Sequence, residues 1–285
     1  MKKWIDKNIP SLSGKRIAVS GSTGGIGSAL CRQLCYLGAS LVLIDRNLNK
    51  SCTLADSLRA EFASVDITHI TADMSDMESV KRAADELSEL GIDYLILNAG
   101  AYCIPRYTCD TGYGNVFQIN FLSPYYLARQ MLPSIEKRGG RVIAVGSIAH
   151  NYSKTDPNDI DFSKKSRASL VYGNSKRFLT YSLLALESNS VAVAHPGISF
   201  TGITNHYPPL VFALIKEPMK IIFMRPDKAA LSILYAICAE VRKDEWIGPR
   251  LFDVWGVPRV KKLRTATENE KKYIADTAEK IYKKM

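Results

Sequence analysis

Tyr172 and Lys176 stand four residues apart in a stretch, 169–187, whose pattern is helical, so their side chains leave one helix face a turn apart. A tyrosine with its ordinary pKa of about 10 is a poor base near neutrality, and a neighbouring ammonium stabilises the phenolate. Such a pair can serve as a general acid/base whose proton affinity the lysine tunes. Taken alone, the same spacing is usually structural, so its meaning depends on what else the chain brings to that face.

A second constellation lies near the start. Ile17-Ala18-Val19-Ser20 runs straight into Gly21-Ser22-Thr23-Gly24-Gly25-Ile26-Gly27, and a helical pattern follows to about Leu37. Glycines permit the tight turn and the close backbone approach of a pyrophosphate, and the helix that follows offers unpaired N–H groups and the positive end of its dipole. A strand before and a helix after make this a phosphate loop in the right context. Asp45-Arg46 ends the next apolar run 18 residues beyond Gly27, near the distance at which an acid meets an adenosine ribose. Asp73 ends the third run and Asn98-Ala99-Gly100 the fourth, so successive strand ends line one edge with small or polar residues, as a continuous cofactor groove requires.

Positioning these residues falls to a regular framework. Short β-branched runs alternate with helical patterns, and strands are expected over 16–20, 40–44, 66–71, 94–98, 141–146 and 191–195, each apolar enough to be buried on both faces. The rhythm is βαβ with right-handed crossovers, which predicts an α/β fold: a doubly wound parallel sheet with helices on both faces and ligands beyond the carboxyl ends of its strands. After His195 the pattern changes. Residues 197–225 are rich in aromatics, aliphatics and prolines (Phe200, Tyr207, Pro208, Pro209, Phe212, Phe223) and read as a lid or substrate wall, followed by a helix from about Pro226. Residues 267–284 form a Lys/Glu-rich helix whose Ile274, Ala278 and Ile281 make a narrow apolar docking stripe.

The Gly21, Gly25, Gly27 spacing resembles the fingerprint of the short-chain dehydrogenase/reductase family, a resemblance that runs from about Ser13 to Thr201. It implies one Rossmann-type domain: a cofactor half over about 13–150, a catalytic helix and substrate lid over about 151–225, and the C-terminal helix. By the same resemblance Asp73, with Met74 beside it, would contact adenine, and Pro196, Gly197, Ile198 and Thr201 would hold the nicotinamide carboxamide. Ser147, after the fifth strand, and Asn120, in the preceding helix, match the family's serine and asparagine. Ser147 would bind the substrate oxygen, Tyr172 would transfer its proton, and Lys176 would bind the nicotinamide ribose and favour the phenolate. Asn120 would hold a water linking Lys176 to solvent. The implied activity is NAD(P)-dependent hydride transfer between nicotinamide and the carbinol or carbonyl carbon of a small alcohol, ketone or aldehyde. Between NAD and NADP, Asp45 favours NAD by repelling a 2′-phosphate, and Arg46, long and mobile, constrains the choice less.

One departure is informative: the serine lies 25 residues before the tyrosine, about a dozen more than in many members, with the extra residues between Tyr152 and Lys165. Similar insertions occur in the retinol dehydrogenase-like branch, which the opening, Trp4 to Gly14, also resembles. The aromatic-rich 197–225 region favours an apolar substrate, or merely closes the site. The resemblance further implies a homodimer or homotetramer packed through the helices containing Asn120 and Tyr172.

Composition excludes several other classes. With 285 residues, 46% of them hydrophobic, the chain can bury one large core, and no apolar run reaches the roughly 20 residues of a membrane-spanning helix. A cytoplasmic protein is expected. Six cysteines without a C-x-x-C pair and four dispersed histidines predict reduced thiols and no metal site, with Cys31 and Cys35 packing one helix face. The net charge of +10 is concentrated toward the C-terminus: residues 259–285 hold nine Lys/Arg and four Asp/Glu, a net of +5, without any nucleic-acid motif. Two other readings compete: a dinucleotide-binding sensor or scaffold that kept the fold and lost turnover, and a nucleotide-sugar epimerase or dehydratase, for which the residues after Pro196 leave little room.

Overall fold

The computed structural model describes residues 1–198 and 224–285. Strands β1 (Arg16–Ser20), β2 (Ser40–Asp45), β3 (Ile67–Thr71), β4 (Tyr94–Leu97), β5 (Arg141–Val145) and β6 (Val191–Ala194) fall where the apolar runs place them. Their side chains alternate between two cores. Ala18, Val42, Ile44 and Leu95 pack under α4 (Met77–Leu90), α6 (Ser123–Lys137) and α7 (Ala168–Leu184). Ile17, Val19, Leu41, Leu43 and Ile96 pack on the other face under α2 (Gly25–Tyr36), α3 (Leu48–Glu61) and α8 (Pro226–Tyr235), joined by Ile5 of the short α1 (Lys2–Asn8). The period of two along each strand is what permits both faces to be dry.

The sheet order is β3-β2-β1-β4-β5-β6-β7-β8, with β1 paired in parallel to both β2 and β4. The order in which strands are added therefore reverses at β1, and the crevice beyond its carboxyl end is the expected ligand position. The six expected strands all pair in parallel, and two further strands that the sequence reading did not include extend the sheet at one edge. β7 (Glu245–Leu251) pairs with β6 in parallel, and β8 (Trp255–Lys262) returns antiparallel to it. The hairpin escapes a sequence reading because Gly248, Pro249 and Pro258 look like loop residues. Pro258 is tolerated because β8 is the outermost strand.

The last helix, α9 (Glu268–Tyr282), begins with Thr267 accepting a hydrogen bond from the Glu270 N–H and buries the predicted stripe Ile274, Ala278 and Ile281. Each buried isoleucine contributes about 1.5–3 kcal/mol, against a few tenths for an exposed i,i+4 charge pair, so the stripe rather than the Lys/Glu surface fixes the helix. It lies over α6 and α7: Tyr273 faces Phe178, Tyr282 meets Tyr125 and Tyr126, and Arg129 pairs with Glu279. Cys31 and Cys35 are buried free thiols on α2, as a packing role requires. Among the described residues no helix is long and apolar enough to cross a membrane. Thr201 and the residues 199–223 of the predicted lid, Phe200, Tyr207, Pro208, Pro209, Phe212 and Phe223 included, lie outside the described part.

Candidate active site

The glycine-rich turn closes tightly on the carboxyl end of β1. Gly21 adopts φ +65°, and a Cβ there would stand 2.8 Å from the Ala99 Cα; one on Gly27 would run into the Gly21 carbonyl oxygen. Asn98 holds this turn, donating from Nδ2 to the Ser20 carbonyl at 3.0 Å and the Gly21 carbonyl at 2.9 Å, and the Ala99 N–H donates to Ser20 Oγ at 3.0 Å. Gly24 caps α2 with no side chain and Gly25 and Ile26 begin the helix, so its first N–H groups point outward unpaired by any side chain. A cradle that a Cβ would obstruct, at an uncapped helix start, fits a dinucleotide pyrophosphate.

Asp45 is buried beside this turn. Its carboxylate accepts hydrogen bonds from the Ser22 hydroxyl, the Thr23 N–H at 3.1 Å and the Thr23 hydroxyl at 2.9 Å. Arg46, the next residue, is exposed. Farther along the same edge, Asp73 folds its carboxylate back onto the Ser75 N–H at 2.8 Å and hydroxyl at 2.7 Å, and the Met74 carbonyl accepts from Ser123 Oγ at 2.7 Å.

The four residues singled out for chemistry converge above β4 and β5. Ser147 follows β5 and caps a 3-10 turn, Ile148–Tyr152, its Oγ accepting from the Ala149 N–H at 3.2 Å. Tyr172 on α7 faces Ser147, whose hydroxyl partly offsets the burial that pushes the phenol up to about 12. Lys176, one turn on and 2% exposed, donates from Nζ to the Val145 carbonyl at 2.8 Å and lies 5.9 Å from the Tyr172 ring centroid. Burial pushes its pKa down to about 8. An ammonium has three donors, and the space before it is kept open by Gly100, where a Cβ would stand 3.5 Å from Nζ. A ribose hydroxyl fits there.

Asn120 is fully buried in a π-helical turn, Gln118–Leu122, between the short α5 (Asn115–Phe117) and α6. Its Oδ1 accepts from the Ala101 N–H at 3.0 Å, and Nδ2 donates to the Ala101 and Val116 carbonyls at 2.8 and 2.9 Å. Both side-chain donors are thus spent on the backbone. They fix the loop that follows Gly100, and any water held by this residue must use its remaining acceptors.

Pro196, Gly197 and Ile198 follow β6 on the far side, with the Ile198 carbonyl accepting from the Met224 N–H at 2.9 Å. The structure also brings forward residues that sequence reading passed over. The Tyr102 ring stands edge-on to Tyr172, centroids 5.2 Å apart. His150 lies behind Ser147, Nδ1 to the Ser147 carbonyl at 2.6 Å and Nε2 to Thr265 Oγ1 at 2.8 Å. His195 takes the Gly197 N–H on Nδ1 at 3.1 Å and reaches the Asp253 carbonyl with Nε2 at 2.7 Å. Proximity to Ser147 and to Pro196-Gly197 in the chain was the available signal. Arg177, adjacent to Lys176 and 2% exposed, makes a two-pronged pair with Glu270 of α9 (2.7 and 2.6 Å) and donates to the His150 and Thr265 carbonyls. Glu270 also accepts from the Thr155 N–H at 3.0 Å, which anchors the inserted segment.

A phosphate cradle at the crevice and a serine–tyrosine–lysine cluster on the neighbouring strand and helix define a nicotinamide-dependent oxidoreductase site, and residues 15–156 match the family model described as short chain dehydrogenase. The chain belongs to the short-chain dehydrogenase/reductase family, near its retinol dehydrogenase-like branch, and is an NAD(P)-dependent enzyme of alcohol and carbonyl groups. It is 27% identical over 248 residues to mouse polyprenol dehydrogenase, covering 81% of this chain and 73% of that one. Mouse retinol dehydrogenase 12 is 27% identical over 240 residues, 80% of this chain and 75% of that one. An uncharacterized protein from Mycobacterium paratuberculosis shares the fold with a TM-score of 0.77 at 23% identity, over 97% of this chain and 96% of that one.

Proposed function

We propose that the chain transfers hydride between NAD and the carbinol or carbonyl carbon of an apolar alcohol, ketone or aldehyde, with Tyr172 as acid/base. The observation that carries this reading is the buried Lys176 ammonium, 5.9 Å from the Tyr172 ring, held on the Val145 carbonyl and opening toward Gly100, with Ser147 facing the phenol. When bound, the cofactor supplies the hydride. Ser147 holds the substrate oxygen, Tyr172 donates to or accepts from that oxygen, and Lys176 binds the ribose. With its pKa pushed up by burial, Tyr172 keeps its proton at neutral pH and is ready to donate it to a carbonyl oxygen. Asn120 orients the loop after Gly100, the Gly21–Gly27 turn takes the pyrophosphate, Asp73 and Met74 flank the adenine, and Pro196, Gly197, Ile198 and Thr201 take the carboxamide.

NAD is the favoured cofactor because Asp45 draws in the Ser22 and Thr23 hydroxyls, donors that a 2′-phosphate would need, and adds a like charge beside it. An apolar substrate is supported by the Tyr102 ring at the site, the aromatic-rich sequence after Gly197, and the names of the polyprenol and retinol relatives. A homodimer or homotetramer through the Asn120 and Tyr172 helices is not part of this reading, since α9 covers α6 and α7 on that side.

The test is turnover by Tyr172→Phe against a panel of apolar alcohols and ketones, followed at the nicotinamide absorbance. Turnover should vanish while cofactor affinity is kept, because the variant loses the proton and retains the ring. Parental turnover by the variant would remove Tyr172 from this role, and a parent that binds dinucleotide but turns over nothing in the panel would favour a sensor.

A further inference from the structure

The β7–β8 hairpin ends in a turn whose residues are chosen against the needs of the turn. The Val254 N–H donates to the Leu251 carbonyl at 2.9 Å, and the two residues between them, Phe252 and Asp253, have φ of +52° and +58°. Paired left-handed residues define the type I′ turn, which is ordinarily filled by Asn-Gly or Asp-Gly. A bulky phenylalanine is disfavoured in this region, and Phe252 is also 88% exposed, so neither backbone geometry nor packing accounts for its presence. An outlier of this kind points to function.

The turn is held rigidly. The Asp253 carboxylate pairs with Lys261 at 2.7 Å, the Asp253 carbonyl accepts from His195 Nε2, and Lys261 also donates to the Pro249 carbonyl. Phe252 therefore projects from a fixed mount, with Leu251 and Val257 exposed beside it. The charge near it is one-sided: Arg250, next to the turn, and Arg259, opposite Gly248, are exposed, whereas Asp253 is partly covered and paired with Lys261.

We propose that this tip docks the protein on an anionic phospholipid surface, Phe252 and Leu251 entering the interface and Arg250 and Arg259 meeting the headgroups. A protruding pair of apolar side chains flanked by two arginines suits a bilayer interface, where a few inserted groups and about 1 kcal/mol per nearby cation add up. It is too small for a stable protein partner, which needs on the order of 1,000 Å². The hairpin's tie to His195, and through it to Gly197, sets the docked tip beside the turn assigned above to the nicotinamide. That consequence, unlike the docking, rests on the reading of the site, and it would let an apolar substrate pass from the lipid directly.

Sedimentation of the full chain with phosphatidylcholine vesicles, with and without phosphatidylserine, tests this without any turnover. The protein should pellet with the phosphatidylserine vesicles and be released by salt. Phe252→Asn should weaken partition about tenfold, 1.4 kcal/mol, while raising the melting temperature, because asparagine fits the left-handed turn. Arg250→Glu with Arg259→Glu should abolish the phosphatidylserine dependence. Three results would overturn the proposal: a parent that stays in the supernatant with both vesicles, unchanged partition of Phe252→Asn, or self-association in light scattering that Phe252→Asn removes, which would assign the tip to a second copy.

Discussion

The indole of Trp246 lies flat against the imidazole of His195, ring centroids 4.9 Å apart and planes 15° from parallel, and meets His150 edge-on at 5.0 Å. One buried side chain of β7 thus braces both imidazoles, and each holds a different loop: His150 the one carrying Ser147, His195 the one carrying Gly197. In His195 the bond from the Gly197 N–H fixes Nδ1 as acceptor and Nε2 as the protonated nitrogen. Burial pushes its pKa down to about 4, so the ring stays neutral through the physiological range.

His195→Ala should therefore weaken binding of the whole nicotinamide dinucleotide by about five- to tenfold, the worth of one backbone hydrogen bond, and leave ADP-ribose binding unchanged. His195→Asn, which offers an acceptor near Nδ1, should restore part of the loss. Calorimetry with both ligands checks this; equal weakening of both would reduce His195 to general packing.

Lys176→Met is expected to produce an inactive but more stable protein. The ammonium's pKa falls from 10.5 to about 8 on burial, a cost to folding of about 3 kcal/mol below pH 8, partly offset by about 1 kcal/mol from the bond to Val145. The unfolded chain binds the proton more tightly, so parental stability rises with pH between 8 and 10.5. The melting-temperature advantage of the cofactor-free variant should shrink over that window. A variant less stable than the parent at pH 7 would contradict the argument.

Glu270→Gln should destabilise the fold by about 3 kcal/mol at neutral pH, because it leaves the Arg177 guanidinium buried against a neutral amide. Burial alone would raise the Glu270 pKa, but the hydrogen bonds and charge of Arg177, with the Thr155 N–H, hold it below 4.5. Its contribution is complete above 4.5 and disappears as pH falls through the lowered value, so denaturant midpoints of parent and variant should converge in acid. A constant gap across that range would place the effect elsewhere.

Asp45→Ala should raise the NADP to NAD ratio of catalytic efficiency by at least about tenfold, since it removes the competing charge, frees Ser22 and Thr23, and leaves the exposed Arg46 to meet the 2′-phosphate. Efficiency with both cofactors should fall, because the turn loses three hydrogen bonds. Steady-state kinetics with both dinucleotides decide the matter, and a parent already preferring NADP tenfold would reverse the assignment.

The parts of this molecule that were legible in its sequence are those whose physics is local. Apolar alternation along Ile17-Ala18-Val19 and glycines at 21 and 27 specify strand and turn without reference to distant residues, and the i,i+4 spacing of Tyr172 and Lys176 specifies a shared face. The β7–β8 hairpin was hidden because its glycine and prolines are locally loop-like and become strand residues only against β6. Likewise Arg177 reads as an ordinary charged helix residue; its burial follows from Glu270, 93 residues away. The Asp45 carboxylate was legible as an acid at a strand end, but its inward use by Ser22 and Thr23 was not.

The same separation of 93 residues has a consequence for how the chain is made. At roughly 5–20 residues per second, α7 is synthesised several seconds before Glu270. Throughout that interval Arg177 has no carboxylate, His150 lacks Thr265, and the aromatic faces of Phe178 and Tyr125 lack α9. The helix bearing Tyr172 and Lys176 leaves the ribosome with its outer face open and is clamped only when the hairpin and α9 arrive. A nascent chain stalled before residue 265 should thus expose that face to chaperones and proteases, even with its dinucleotide cradle already built.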